Sequence, residues 1–271
     1  MLFSTSSLVI ALLLAISASA RPYEKRWGGW GGGSWRGNRG DEERHSWQPS
    51  AASPYVDFFK RAGISAGNCD LQSAIPNMNL DAVNPALPAP NPSLSLFQVV
   101  VGRGTQNYTC DLANATAVPI PVGAVATLYD LSCAAVDAPE LLRITPKVAL
   151  DLPVPSSDDA RSPMNTMVSG HHYFLDDTTP FFNLDTSLHQ YGMGALQKGN
   201  VSDAPEGSPA GPFGQGNGAV AWLTLDQKPS GENSWKQIYR LNTAGGNPPK
   251  TCTGSAASFE VDYAAEYWIF R

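Results

Sequence analysis

This 271-residue chain predicts an all-β fold: a single antiparallel β-sandwich or barrel-like domain with long Pro/Gly-rich loops and a disordered N-terminal segment. Three observations carry that expectation. Between Phe259 and Phe270 the sequence alternates, with Phe259, Val261, Tyr263, Ala265, Tyr267 and Ile269 on one face and Glu260, Asp262 and Glu266 on the other. That is the period-two pattern of a strand with one face in a core. Short β-rich runs recur between Gly, Pro, Asn and Asp turns. No window sustains a helical period beyond three turns, which leaves sheet-on-sheet or closed-sheet architectures.

Residues 1–20 read as a secretory signal peptide, since Leu8 to Ile16 is an uninterrupted apolar run and Ser17-Ala18-Ser19-Ala20 supplies the small residues for cleavage after Ala20. The run is far shorter than the roughly 20 residues that span a bilayer. The C-terminal Tyr267-Trp268-Ile269-Phe270-Arg271 has no lipid-anchor pattern. The mature chain is therefore expected to be secreted and extracellular, with no membrane anchor.

Residues 21–61 are Gly- and Trp-rich with interspersed charges, cannot form a packed core, and read as disordered. Lys25-Arg26 and Lys60-Arg61 bracket them. Cleavage after Arg61, or after Arg26, by a kexin-type protease would make this a pro-segment or release a peptide; the alternative is a flexible linker with chance basic pairs.

Residues 62–93 form a Pro-rich lead-in whose prolines between positions 75 and 93 favour an extended or polyproline path. The β-domain, 94–271, opens with a strand from Leu94 to Val101, a turn at Gly102-Arg103-Gly104 and a second strand from Gln106 to Cys110. Gly123 to Asp130 is another strand, and Pro139 to Leu150 fits either a short helix or an irregular strand pair. Two short aromatic strands follow, at His171-His172-Tyr173-Phe174 and Pro180-Phe181-Phe182, then a long Pro/Gly loop from Pro205 to Gly218. Gly218 to Asp226 is apolar on both faces and is expected to lie centrally. Trp235 to Asn242 precedes the final strand, and Trp222, Trp235, Tyr239 and Trp268 read as core residues rather than sugar-stacking platforms.

Residues 62–271 carry ten Lys/Arg against nineteen Asp/Glu, a net of −9. Such a domain repels phosphate backbones, so no nucleic-acid partner is expected. Four cysteines, Cys69, Cys110, Cys133 and Cys252, suit two disulfides in an oxidising compartment, and their count alone allows three connectivities. Asn107, Asn114 and Asn200 each open a glycosylation sequon.

Gly102-Arg103-Gly104 has no third glycine at position 107 and no helix after it, so no nucleotide cofactor is expected. There is no His-Glu-x-x-His zinc helix. The suggestive cluster is His171, His172, Asp176 and Asp177, with Asp185 and His189 further along. One histidine and two carboxylates could hold a metal or act as an acid/base pair. Adjacent strand residues point to opposite faces, which opposes both histidines sharing one ion, and the expectation is no metal and no cofactor.

The segments Gly104 to Cys110, Gly123 to Tyr129, Gly170 to Phe174, Ala221 to Leu223, Tyr239 to Gly246 and Tyr263 to Trp268 resemble, in colinear order over about residues 66–271, the family called domain of unknown function 3455. The resemblance implies a secreted protein of a kind frequent in filamentous fungi and present in bacteria, with no catalytic set to transfer. The malate dehydrogenase label that some members carry is not supported by the glycine spacing. Bacterial members keep the equivalents of Cys110 and Cys252, so the resemblance implies the pairs Cys110–Cys252 and Cys69–Cys133.

The functional expectation is a secreted, glycosylated, disulfide-bonded protein acting by binding, as a wall-associated or host-directed effector-like protein with a cell-wall polysaccharide or host protein as partner. The alternative is an extracellular hydrolase or carbohydrate-active enzyme with its site near His171 to Asp185.

Overall fold

The computed structural model describes residues 69–114, 116–152, 167–229 and 233–271. The expected signal peptide, the 21–61 segment and the expected processing residues Ala20, Arg26 and Arg61 lie outside them. Eight strands run β1 (Leu96–Thr109), β2 (Ile120–Asp130), β3 (Val168–Asp176), β4 (Thr179–Asp185), β5 (Gln190–Ser202), β6 (Trp222–Gln227), β7 (Gln237–Gly245) and β8 (Ser258–Phe270). They form a closed antiparallel barrel in sequence order, with β8 returning to β1 from Leu96↔Phe270 to Thr109↔Ser258. Closure leaves no free sheet edge.

Two apolar layers hold it. Val100, Leu128, Phe182, Leu225, Trp235, Ile238, Tyr263, Tyr267 and Ile269 fill the interior. Outside, Val99, Val101, Tyr239, Leu241, Trp268 and Phe270 meet Ala74, Met78, Leu131 and Leu142 from a helical cap. The cap comprises two 3-10 segments, Leu71–Met78 and Leu80–Ala82, with helices α1 (Ser132–Asp137) and α2 (Pro139–Leu150). β8 is therefore buried on both faces along its second half, and Trp222, Trp235, Tyr239 and Trp268 are all core.

Several expectations are corrected. Gly102 and Gly104 form no turn: β1 runs through them without a break. A Cβ on Gly102 would sit 2.8 Å from the Tyr267 ring, and one on Gly104 would land on the Val125 carbonyl. These glycines let neighbouring strands and an interior ring approach closely, a strand use of glycine that resembles a turn in sequence. The lead-in is not polyproline over its first part, because Asp70 caps a 3-10 segment by accepting from Gln72 N (3.1 Å) and Ala74 and Met78 pack into the cap. Pro76 is accommodated inside that segment. Of the two forms open to Pro139–Leu150 the helix is the one adopted, with Pro139 in the first turn where its missing N–H costs nothing. β5 has no counterpart in the predicted elements, whereas the strands expected at 218–226 and 235–242 are present as β6 and β7 with shifted ends.

Arg103, flanked by those glycines, reaches outward beneath α2. Its guanidinium donates to Leu150 O (3.3 Å) and Leu152 O (3.0 Å) and pairs with Asp262 at 3.0 Å. It thus satisfies carbonyls that the end of the helix leaves open. Cys69–Cys133 joins the lead-in to α1, and Cys110–Cys252 joins the end of β1 to the β7–β8 connection, with Cα separations of 5.5 and 5.6 Å.

Candidate functional site at the barrel mouth

β3 places His171 and His172 on opposite faces. His171 pairs with Asn183 on the outside, where partial burial lowers its pKa. His172 pairs with Phe182 inside the barrel, 3 % exposed, its ring stacked on Phe182 at 4.2 Å. Its Nδ1–H donates to Phe181 O at 3.0 Å, and burial pulls its pKa down to about 4, so the ring is neutral. Asp176 accepts from Thr178 N and Oγ1 in the β3–β4 turn (2.9 and 2.8 Å), which holds its carboxyl down at about 2. Asp177 is exposed beside it, and Asp185 accepts from Gly192 N at 2.7 Å. His189 packs on Tyr191 with its ring nitrogens at Leu184 O and Val168 O. These side chains do not converge, and among the described residues no three His, Cys, Asp or Glu side chains group as metal ligands.

A different set converges inside. Arg240 of β7 lies opposite Tyr267 of β8, so both project inward, beside Tyr263, whose hydroxyl is 3.1 Å from that of Tyr267. The positive charge of Arg240 pulls the pKa values of Tyr108, His172, Tyr263 and Tyr267 downward. Burial pushes Tyr108 up to about 12 and Tyr263 and Tyr267 upward, so every phenol stays protonated. Arg240 Nε and Nη2 both donate to the single carbonyl of Ala221 (3.1 and 2.8 Å), and a hydrogen bond with Arg240 pulls the Tyr267 pKa down against its burial. No carboxylate pairs with Arg240 among the described residues. Nearby, Gln106 is 8 % exposed and its Nε2 has no partner.

A cleft of about 360 Å³ is lined by Asp203, Pro205, Ser208, Ala219, Ala221 and Asn247, among others, and Ala221, whose carbonyl accepts from Arg240, is its link to the cluster. Ala219 bridges to Gly246, and a Cβ on Gly246 would meet Val220, Tyr263 and Gln106. Tyr108 also donates to Gly246 O at 2.8 Å. Gln106, Tyr108, Tyr263 and the cleft wall therefore meet around one glycine.

A family model described as "Protein of unknown function (DUF3455)" matches residues 88–271. The chain belongs to the DUF3455 family. No curated protein and no solved structure matches it. The DUF3455 match contains the whole barrel, Arg240 with its ring of partners, and the Cys110–Cys252 pair, while the 3-10 segments and Cys69 precede it. Arg240 was not singled out by sequence reasoning. It stands in WKQIYRLN, and because Tyr239 is buried outward and Ile238 inward, the alternation that would reveal an inward charge is erased.

The outer wall away from the cap forms a second surface of this DUF3455 barrel. Across β2 to β5 the register brings Val125, Tyr173, Phe181 and Ala195 into one row, with Met193 beside it. Tyr173 and Phe181 pack 5.3 Å apart, and Val125 and Met193 are 53 % and 43 % exposed. Of the sequons, Asn114 is exposed and accepts from Thr116 Oγ1 (2.8 Å), Asn200 is exposed on β5, and Asn107 is half-buried on β1. No helix among the described residues is long and apolar enough to cross a membrane.

Proposed function

We propose that this protein is a secreted, glycosylated, extracellular member of DUF3455, of fungal type, that acts by binding at a cell wall or on a host protein. The observation that carries the reading is the row of Val125, Tyr173, Phe181 and Met193 on the outer wall, which no element of the cap covers. A row of apolar and aromatic side chains, half-buried at Tyr173 and Phe181 and exposed at Val125 and Met193, on an otherwise acidic domain marks an interaction surface. The two disulfides and the signal-peptide pattern support an oxidising destination. The alternative, a hydrolase centred on His171 to Asp185, has its side chains on opposite faces and in separate turns, and no observation favours it.

The test is co-sedimentation of the secreted protein with insoluble wall polysaccharides and capture of host extracellular proteins. The double variant Tyr173→Ala, Phe181→Ala is expected to lower retention by roughly tenfold or more. Retention that is unchanged in that variant overturns the assignment of this face. Peptide mapping and glycosidase treatment of the same material read out the mature start and the occupancy of Asn107, Asn114 and Asn200.

A further inference from the structure

We propose that the outer wall of β2 to β5 is a binding face for a linear neutral polysaccharide, laid across the four strands with its sugar rings over Val125, Tyr173 and Phe181 and its hydroxyls against Thr127, His171 and Asn183. The proposal deepens the reading of that wall as the interaction surface and rests on it.

The strand register carries the geometry. One row crosses the wall from Val125 through Tyr173 and Phe181 to Ala195, and the next runs from Thr127 through His171 and Asn183 to Met193. Cross-strand neighbours share a face, so an aromatic stripe lies beside a hydrogen-bonding stripe, each roughly 14 Å long over three strand spacings. In the first stripe Tyr173 and Phe181 touch, with ring centroids 5.3 Å apart. In the second, Asn183 Oδ1 accepts from Asp185 N at 2.9 Å, which leaves the amide hydrogens for an outside acceptor. His171 is exposed on the same stripe and Thr127 is half-buried, and each can donate and accept. A sugar ring has an apolar C–H face and a margin of hydroxyls, which matches one stripe of each kind. A protein partner calls for an apolar centre enclosed by a polar rim, and here the polar stripe runs through the face.

Charge points the same way. The eight positions of the two rows hold no Asp, Glu, Lys or Arg, although residues 62–271 carry a net charge of −9. Partial burial lowers the His171 pKa, so that ring is uncharged at neutral pH. Charged groups stop at the margins and are engaged there. Lys228, beside Ala195, donates to Thr179 Oγ1 (2.7 Å), Asp185 accepts from Gly192 N (2.7 Å), and Arg103, opposite Thr127, pairs with Asp262 (3.0 Å). A face cleared of charge on an acidic domain fits an uncharged polymer, whereas the surrounding field repels an anionic one. None of Asn107, Asn114 and Asn200 lies in either row, so glycans on them leave the two stripes uninterrupted.

The experiment is titration calorimetry of the full secreted chain with cellohexaose and chitohexaose, and co-sedimentation with insoluble cellulose and chitin, with polygalacturonate as the anionic comparison. Saturable binding of a neutral chain is expected, with retention unchanged from low to high salt because no ion pair forms. Asn183→Asp keeps the bond from Asp185 N but exchanges the amide donor for a charge, and is expected to weaken binding roughly tenfold. Tyr173→Ala is expected to weaken it by roughly tenfold or more. Binding of no neutral chain, equal binding of polygalacturonate, or unchanged affinity in folded Asn183→Asp and Tyr173→Ala each overturns the proposal. If Tyr173→Ala does not fold, Asn183→Asp and the salt series decide it. Where no neutral chain binds but Tyr173→Ala, Phe181→Ala still lowers capture of a host protein, or splits a dimer in sedimentation velocity, this proposal falls and the surface reading stands. Where that double variant changes no binding at all, both fall.

Discussion

At the scale of single residues, two buried titratable groups oppose each other. Glu266 is 1 % exposed between β8 and the cap, and accepts from Asn242 Nδ2 (2.9 Å) and Trp268 Nε1 (3.1 Å). Burial raises its pKa to about 7 from 4.5, with those bonds and the Arg143 charge pulling the other way. The folded pKa lies above the unfolded one, so its contribution is fully present below pH 4.5 and is lost as pH rises through 7. His172 behaves oppositely: its folded pKa of about 4 lies below the ordinary histidine value of 6.5, so stability falls as pH drops from 6.5 through 4. Each swing is on the order of 3 kcal/mol. Their slopes cancel where the windows overlap. The wild type is expected to melt at nearly constant temperature between pH 4.5 and 6.5. Glu266→Gln should melt higher as pH rises across that range, and His172→Phe should melt lower. Scanning calorimetry of the three proteins at several pH values checks the signs, and parallel profiles contradict the assignment.

At the scale of elements, α2 and β1 depend on one side chain and one absent side chain. Arg103→Ala leaves the Leu150 and Leu152 carbonyls without their donor and Asp262 without its partner, and should cost about 2–4 kcal/mol in denaturant unfolding. Gly104→Ala forces β1 away from the Val125 carbonyl and should cost at least about 2 kcal/mol, read as lost amide protection along β1 and β2. The same two positions show where the sequence is opaque. β8 was legible because its first half is buried on one face and its alternation survives. β1 looked broken because glycines that fit strands closely together have the composition of a turn. β5, with Gly192, Gly194 and Gly199 and mostly exposed residues, carries no apolar period to detect. The opposite facing of His171 and His172 follows from strand parity alone, whereas Arg240 required knowing that a cap buries the outside of β7.

At the scale of the whole molecule, the two disulfides act on the unfolded chain. Cys110–Cys252 spans 142 residues and Cys69–Cys133 spans 64. By loop-closure entropy they stabilise by about 5 and about 4 kcal/mol respectively. Replacing Cys110 and Cys252 by Ala is expected to cost more than replacing Cys69 and Cys133, measured by equilibrium unfolding under non-reducing conditions. The closure of β8 onto β1 has a further consequence, for the order in which the chain is made. The last strand in sequence is the only one that covers both the free side of β1 and the free side of β7. Until residues 258–270 have been synthesised, the first strand waits with bare amides and carbonyls. The barrel thus closes only once β8 is available, and any product truncated before β8 is an open sheet that invites pairing with its neighbours.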